Sequence, residues 1–238
     1  QARADGVVDR GTGELAEGVS EADVVVLCTP VGTLPGLVRA VWPALPPGSL
    51  LTDVGSVKRG VVEAAEACPP RPGVAFVGGH PMAGSERSGY AAATADLFEG
   101  RLTLLTRTAR TPAAALDRLV TFWEALGSQV RILSVEAHDR GVALISHLPH
   151  LAAYALVAAA DGDALGLAAQ GFTDTTRIAA SAETLWTDIF RENRRELLDA
   201  VDRYRGILAR WEALLRQGDW SSLEAELERA REIREKLA

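Results

Sequence analysis

The sequence predicts an α/β domain with a mostly parallel sheet, followed by an all-helical domain, with the division near Leu133. Three observations carry this. Continuously apolar runs such as Asp23–Cys28 and Leu50–Val54 end in small-residue turns, as parallel strands covered on both faces do. Helical stretches alternate with those runs, which is the pattern of right-handed βαβ units. From Ser134 onward no further strand pattern occurs, and apolar residues recur at helical spacing. The two regions are therefore 1–133 and 134–238.

Taken in order, 1–10 reads as the end of a surface helix and 11–20 as a short edge segment and linker. After the first strand, Thr29-Pro30-Val31 turns into a helix to about Val41. The strand Leu50–Val54 ends at Gly55-Ser56 and feeds a helix from Val57 to Ala67. A Pro-rich loop, 68–73, precedes the central strand Val74-Ala75-Phe76-Val77. That strand is expected to stop at Gly78-Gly79 and deliver His80 at its tip, because Pro81 has no N–H to donate to a sheet. A loop over 84–100, a strand at Leu102–Thr106, a helix from Pro112 to Leu126 with Thr111 as its N-cap, and a strand at Gln129–Leu133 complete the half.

The helical half opens with one long run, Val135 to Ala160. Pro149 should kink it, and its apolar end, Leu151–Ala160, should be buried on most sides. A polar loop holds Gly171 to Arg177. Leu185, Trp186, Ile189 and Phe190 then recur on one helical face, as do Leu197, Val201, Tyr204, Leu208, Trp211 and Leu215. A charged amphipathic helix from Ser221 closes the chain.

Composition sets the outer bounds. With 47% hydrophobic and 24% charged residues, the 238-residue chain has the makeup of a soluble globular protein. A formal net charge of −7 argues against a nucleic-acid or anionic-membrane surface. No apolar run is expected to reach the length of a membrane span, and no signal-peptide pattern opens the chain. Two cysteines, Cys28 (expected to be buried) and Cys68, fit a reduced, cytoplasmic setting.

The candidate chemistry gathers at three strand ends, Thr29-Pro30-Val31, Gly55-Ser56 and Gly79-His80, where open α/β sheets place ligands. His80 either caps a strand end or acts as an acid/base group. A G-x-G-x-x-G loop is not present, so a Rossmann reading requires that a first strand, helix and second strand precede Gln1. His147 and His150 lie three apart, on one helix face beside Pro149. A metal site of His80, His147 and His150 is disfavoured, since no carboxylate or Cys stands at the expected spacings. The imidazoles read better as a neutral pair, one in the core and one lining a pocket. Arg177 is either a surface partner of Asp174 or an anion clamp; the residues alone favour the surface pair. Trp186 is a core residue that could also wall a pocket.

Three motifs, Gly79-His80-Pro81-Met82-Ala83-Gly84, Ser146-His147-Leu148-Pro149-His150 and Gly171-Phe172-Thr173-Asp174-Thr175-Thr176-Arg177, closely resemble the prephenate/arogenate dehydrogenases of tyrosine biosynthesis. Their order, their spacing and the placement of Trp186 also match, over essentially the whole chain. The resemblance implies a Rossmann-type cofactor domain and an all-α dimerisation domain that forms a homodimer. It implies oxidative decarboxylation of prephenate or arogenate with NAD or NADP. Carried over position by position, His80 accepts the ring-hydroxyl proton and Ser56 orients it. Arg177 binds a carboxylate, His150 contacts the substrate side chain, His147 supports the pocket and Trp186 packs beside the substrate. Glu86 and Asp174 stand near the entrance. Thr29, Pro30, Val31 and Gly55 lie against the cofactor. The alternatives are a β-hydroxyacid dehydrogenase, disfavoured because the only lysines are Lys58 and Lys236, and a catalytically impaired dimeric binding module.

Overall fold

The computed structural model describes residues 1–84 and 89–237. Five strands form one sheet in sequence order: β1 (Val24–Leu27), β2 (Leu50–Asp53), β3 (Ala75–Pro81), β4 (Leu102–Thr106) and β5 (Gln129–Leu133). β1/β2, β2/β3 and β4/β5 are parallel, and β3/β4 is antiparallel. The sheet is thus mixed. Among the described residues no α-helix crosses over between β3 and β4, whereas α4 (Ala113–Ala125) carries the chain from β4 to a parallel β5.

Helices α1 (Leu15–Val19), α2 (Leu34–Val41) and α3 (Arg59–Glu66) complete the α/β half. Segment 11–20 is therefore partly helical and not an edge segment, and 1–10 holds turns with no regular helix. The alternation of β2 builds two cores. Leu51 packs with Leu34, Val38, Val41 and Val61 on the α2/α3 face, while Leu50 packs with Val77, Leu105, Leu119 and Trp123 on the α4 face. Burial on both faces is why these strands read as unbroken apolar runs. α4 starts one residue later than expected, with Pro112 at its N-cap; Thr111 instead accepts a bond from the Thr108 N–H.

The central strand does not stop at the glycines. It pairs with β2 up to Val77 and then with β4 from Gly78 to Pro81. The two glycines are needed there for close approach. A Cβ on Gly78 would lie 2.5 Å from Thr106 Oγ1, and one on Gly79 would lie 2.7 Å from the Asp53 carbonyl oxygen. His80 therefore sits inside a paired, rigid strand, with Pro81 as its last residue.

In the helical half, α5 (Val135–Val142), a π-helical turn at 143–147, and α6 (Leu148–Ala159) replace the single kinked helix. The irregularity precedes Pro149, which occupies the first turn of α6. A wider turn accommodates the proline ring and the carbonyl that loses its donor. α7 (Gly162–Leu165) and α8 (Gln170–Thr176) follow, so the expected polar loop is helical. The hydroxyls of Thr173, Thr175 and Thr176 bond back to the carbonyls of Ala169, Gly171 and Phe172, a local pattern that a propensity argument misses. Then come α9 (Glu183–Glu192), α10 (Arg194–Gln217) and α11 (Trp220–Glu235).

Two further expectations are corrected. In α6 only Ala153 is fully buried, while Leu156 and Val157 are 42% and 37% exposed. The run Val135–Ala159, 25 residues long with an 18-residue stretch of mean hydropathy 1.6, is long and apolar enough to cross a membrane by length and composition. It is broken by the π turn and carries the buried polar His138, Asp139 and His147.

Candidate active site

His80 is the fixed point of the site. It is 9% exposed, and its Nδ1 lies 2.9 Å from His138 Nε2. His138 is fully buried on α5, and its Nδ1 lies 2.7 Å from Asp139 Oδ1. Asp139 also accepts bonds from the backbone N–H groups of Lys58 and Arg59, at 2.9 and 3.0 Å. Its carboxylate therefore caps the start of α3 from across the junction of the two halves. Burial alone would raise the Asp139 carboxyl, but the bonds from His138 and from the Lys58 and Arg59 backbone outweigh it and hold the group below the usual carboxylate range.

A second buried network supports the strand that carries His80. Lys58 and Asp53 are both fully buried and form an ion pair. Lys58 Nζ also donates to the Gly79 carbonyl at 2.6 Å, and Asp53 accepts from the N–H groups of Gly55 and Gly79 at 2.9 and 3.3 Å. Burial pushes the Lys58 ammonium below its ordinary value. Burial, with the charge of Lys58 and the charge His138 and His147 would carry on protonation, pushes His80 well below 6.5. His80 is thus neutral near pH 7 and able to accept a proton.

His147 and His150 take different environments. His147, 1% exposed, is pushed down to about 4 by burial. The Asn193 amide donates both to the Asp139 carbonyl at 2.8 Å and to His147 Nδ1 at 3.1 Å. The His147 proton therefore sits on Nε2, which is buried and has no partner among the described residues. His150 is half-buried and stacks on Trp186, with centroids 3.4 Å apart. Its Nδ1 donates to the Ser146 carbonyl at 2.9 Å, leaving Nε2 as acceptor in the neutral ring. Burial lowers the His150 pKa, and the positive charge of Arg177 adds to this. Arg177 is exposed just past α8 and makes no ion pair with Asp174 among the described residues. Asp174 is exposed on α8, and Glu86 lies outside the described residues.

The strand-tip residues come together as expected. Thr29, Pro30, Val31, Gly55 and Ser56 line one cleft, closed on its far side by Leu185 and Ile189 of α9. Asp188, on the same helix, accepts from the Gly32 N–H at 2.8 Å and ties α9 to the turn after β1. A Cβ on Gly55 would lie 2.6 Å from Leu34 Cδ1, so this backbone is packed without a side chain. Cys28 also lines the cleft and is exposed, contrary to its expected burial. Ser56 makes no hydrogen bond to His80; the partner that orients His80 is His138. Among the described residues no cluster of three metal-ligating side chains occurs. Sequence reasoning missed His138, Asp139, Lys58, Asp53 and Asn193. The one available signal was the adjacent His138-Asp139 pair.

An α/β sheet with a cleft at its strand tips, joined to a helical half that brings histidines and an arginine to the same edge, has the architecture of a two-domain nucleotide-dependent oxidoreductase. Residues 1–132 match the family model for the prephenate dehydrogenase nucleotide-binding domain, and residues 134–229 match the model for the prephenate dehydrogenase dimerisation domain. The chain belongs to the prephenate dehydrogenase family. It is 37% identical to the cyclohexadienyl dehydrogenase of Zymomonas mobilis over 86% of this chain and 71% of that one. It is 35% identical to the prephenate dehydrogenase of Bacillus subtilis over 98% of this chain, spanning 64% of that protein's length. The crystal structure of A. aeolicus prephenate dehydrogenase in complex with hydroxyphenyl propionate and NAD+ superposes with a TM-score of 0.91 at 32% identity, covering 100% of this chain and 84% of that one. Synechocystis arogenate dehydrogenase superposes with a TM-score of 0.87 at 32% identity, over 100% and 86%.

Proposed function

We infer that this chain carries out oxidative decarboxylation of prephenate or arogenate, giving 4-hydroxyphenylpyruvate or tyrosine, in the cytoplasm and without a nucleic-acid or membrane partner. The observation that carries this reading is a neutral, buried His80, held on a rigid strand at the junction of the strand-tip cleft and the helical half.

NAD or NADP, when bound, supplies the hydride acceptor. The strand-tip cleft would hold part of it, offering backbone from Thr29 to Val31, a side-chain-free Gly55, and an apolar wall from Leu185 and Ile189. The chain's own residues do the rest. His80 takes the proton of the ring hydroxyl as the carbinol becomes a ketone. That ketone makes the ring carboxylate part of a vinylogous β-keto acid, so CO₂ leaves and an aromatic ring forms. Arg177 supplies a fork-shaped cation for a substrate carboxylate. The Nε2–H of His147, without a partner among the described residues, is a buried donor that a substrate oxygen would satisfy. His150 contacts the substrate side chain, Trp186 walls the pocket through its stack on His150, and Ser56 stands beside the hydroxyl. Asp174 and Glu86 are assigned to the entrance.

The helical half forms the homodimer through the exposed apolar residues of α6 (Leu156, Val157) and α10 (Tyr204, Ile207, Leu208). The test of the activity is reduced-nicotinamide formation with prephenate and with arogenate, each with NAD and with NADP, using this chain and the reading frame extended upstream. Turnover of either cyclohexadiene, with release of CO₂, supports the reading. Absence of turnover in every arm refutes it in favour of a dimeric binding module.

A further inference from the structure

We propose that His138 and Asp139 are positioning and relay residues for His80, fixing which of its nitrogens accepts the substrate proton and taking the resulting charge away from the substrate. This rests on the activity inferred above.

Asp139 is ionised, so it can only accept, and the contact at 2.7 Å requires His138 to donate through Nδ1. A neutral His138 then presents a lone pair at Nε2. That atom lies 2.9 Å from His80 Nδ1, so His80 must donate through Nδ1, and its only free acceptor is Nε2. The carboxylate thus dictates the tautomer of a ring two hydrogen bonds away. His138 and Asp139 lie on α5 of the helical half, whereas His80 lies on β3. The proton-accepting atom is therefore defined only where the two halves meet.

The same chain accommodates the charge. As His80 Nε2 takes the substrate hydroxyl proton, the Nδ1–H proton passes to His138 Nε2. One proton enters the pair at Nε2 of His80, one N–H bond breaks at Nδ1, and the imidazolium rests on His138 against the Asp139 carboxylate. His80 itself has the charged neighbour Lys58 and the imidazoles of His138 and His147 around it, a poor place for a cation. His138 is also buried and near Lys58, but it alone of the two rings has a carboxylate against it, Asp139 at 2.7 Å. The Asp139 carboxylate is in turn held by the Lys58 and Arg59 backbone.

The direct test is the tautomer. Long-range ¹H–¹⁵N correlation spectra of ¹⁵N-histidine-labelled protein at neutral pH, assigned with His80→Asn, should show Nδ1 of His80 protonated and Nε2 bare. A protonated Nε2 with a bare Nδ1, or a doubly protonated ring, would overturn the proposal. Two variants separate orientation from relay. His138→Leu removes the acceptor, and kcat should fall about 10²–10³-fold with KM for the substrate within about twofold. His138→Gln keeps a carbonyl oxygen that can accept from Nδ1–H but cannot carry a proton onward; it should restore the tautomer and leave kcat about tenfold down. Folded variants that keep wild-type kcat, or that lose kcat and KM in proportion, would contradict it. The spectrum is read without turnover, so an inactive wild-type chain would refute the functional reading while this assignment is still decided.

Discussion

Lys58 donates its ammonium to the carbonyl of Gly79, the residue immediately before His80, at 2.6 Å. Because that ammonium is also paired with Asp53 and both side chains are fully buried, Lys58→Met leaves an uncompensated carboxylate in the core. The expected loss is about 3–5 kcal/mol. In a chain of this size that corresponds to a melting temperature lower by about 10 °C. Calorimetry checks the single variant, and the Asp53→Asn/Lys58→Met double variant should recover part of the loss.

His147 gives a pH signature. Its folded-state pKa of about 4 lies below the ordinary value of 6.5, so the unfolded chain binds more protons between those values. Stability therefore rises with pH through this window, and acidification from pH 6.5 to 4 should remove about 3 kcal/mol through His147 alone. His80 and His138, both lowered by burial, act in the same direction. Urea midpoints measured from pH 7.5 to 4.5 should fall, and His147→Gln should flatten the slope.

Arg177→Ala should act on binding. Loss of a charge-assisted bond to a carboxylate raises KM for the dianionic substrate about tenfold or more, with a smaller effect on kcat. Initial-rate kinetics separate the two, and an unchanged KM would return Arg177 to a surface role.

The apolar residues of α6 and α10 predict the assembly. Light scattering at micromolar concentration should give a dimer, and Leu156→Glu should shift it toward monomer, since a charge in an apolar interface core is costly.

Much of this was legible in the sequence. The continuous apolar runs of β1 and β2 marked strands buried on both faces, and the small residues after them marked the cleft that Thr29–Val31 and Gly55-Ser56 line. The three histidines and Arg177 stood out by motif. The extension of β3 past Gly79 was hidden, because it depends on an antiparallel partner twenty-odd residues on, and glycine pairs usually end strands. The helix at Gln170–Thr176 was hidden by threonines whose hydroxyls bond backward. Lys58 and His138 were hidden for a third reason. A buried charged residue has no periodic signature, and its value comes from partners distant in sequence, such as Gly79 for Lys58 and His80 for His138.

The central claim is that His80 is the base for the oxidative step. Its most direct test is His80→Asn, followed by reduced-nicotinamide formation at saturating prephenate or arogenate, with the fold checked by circular dichroism. A base at this position predicts kcat lower by about 10²–10⁴-fold with substrate affinity retained. A folded His80→Asn variant that turns over at the wild-type rate would contradict the account.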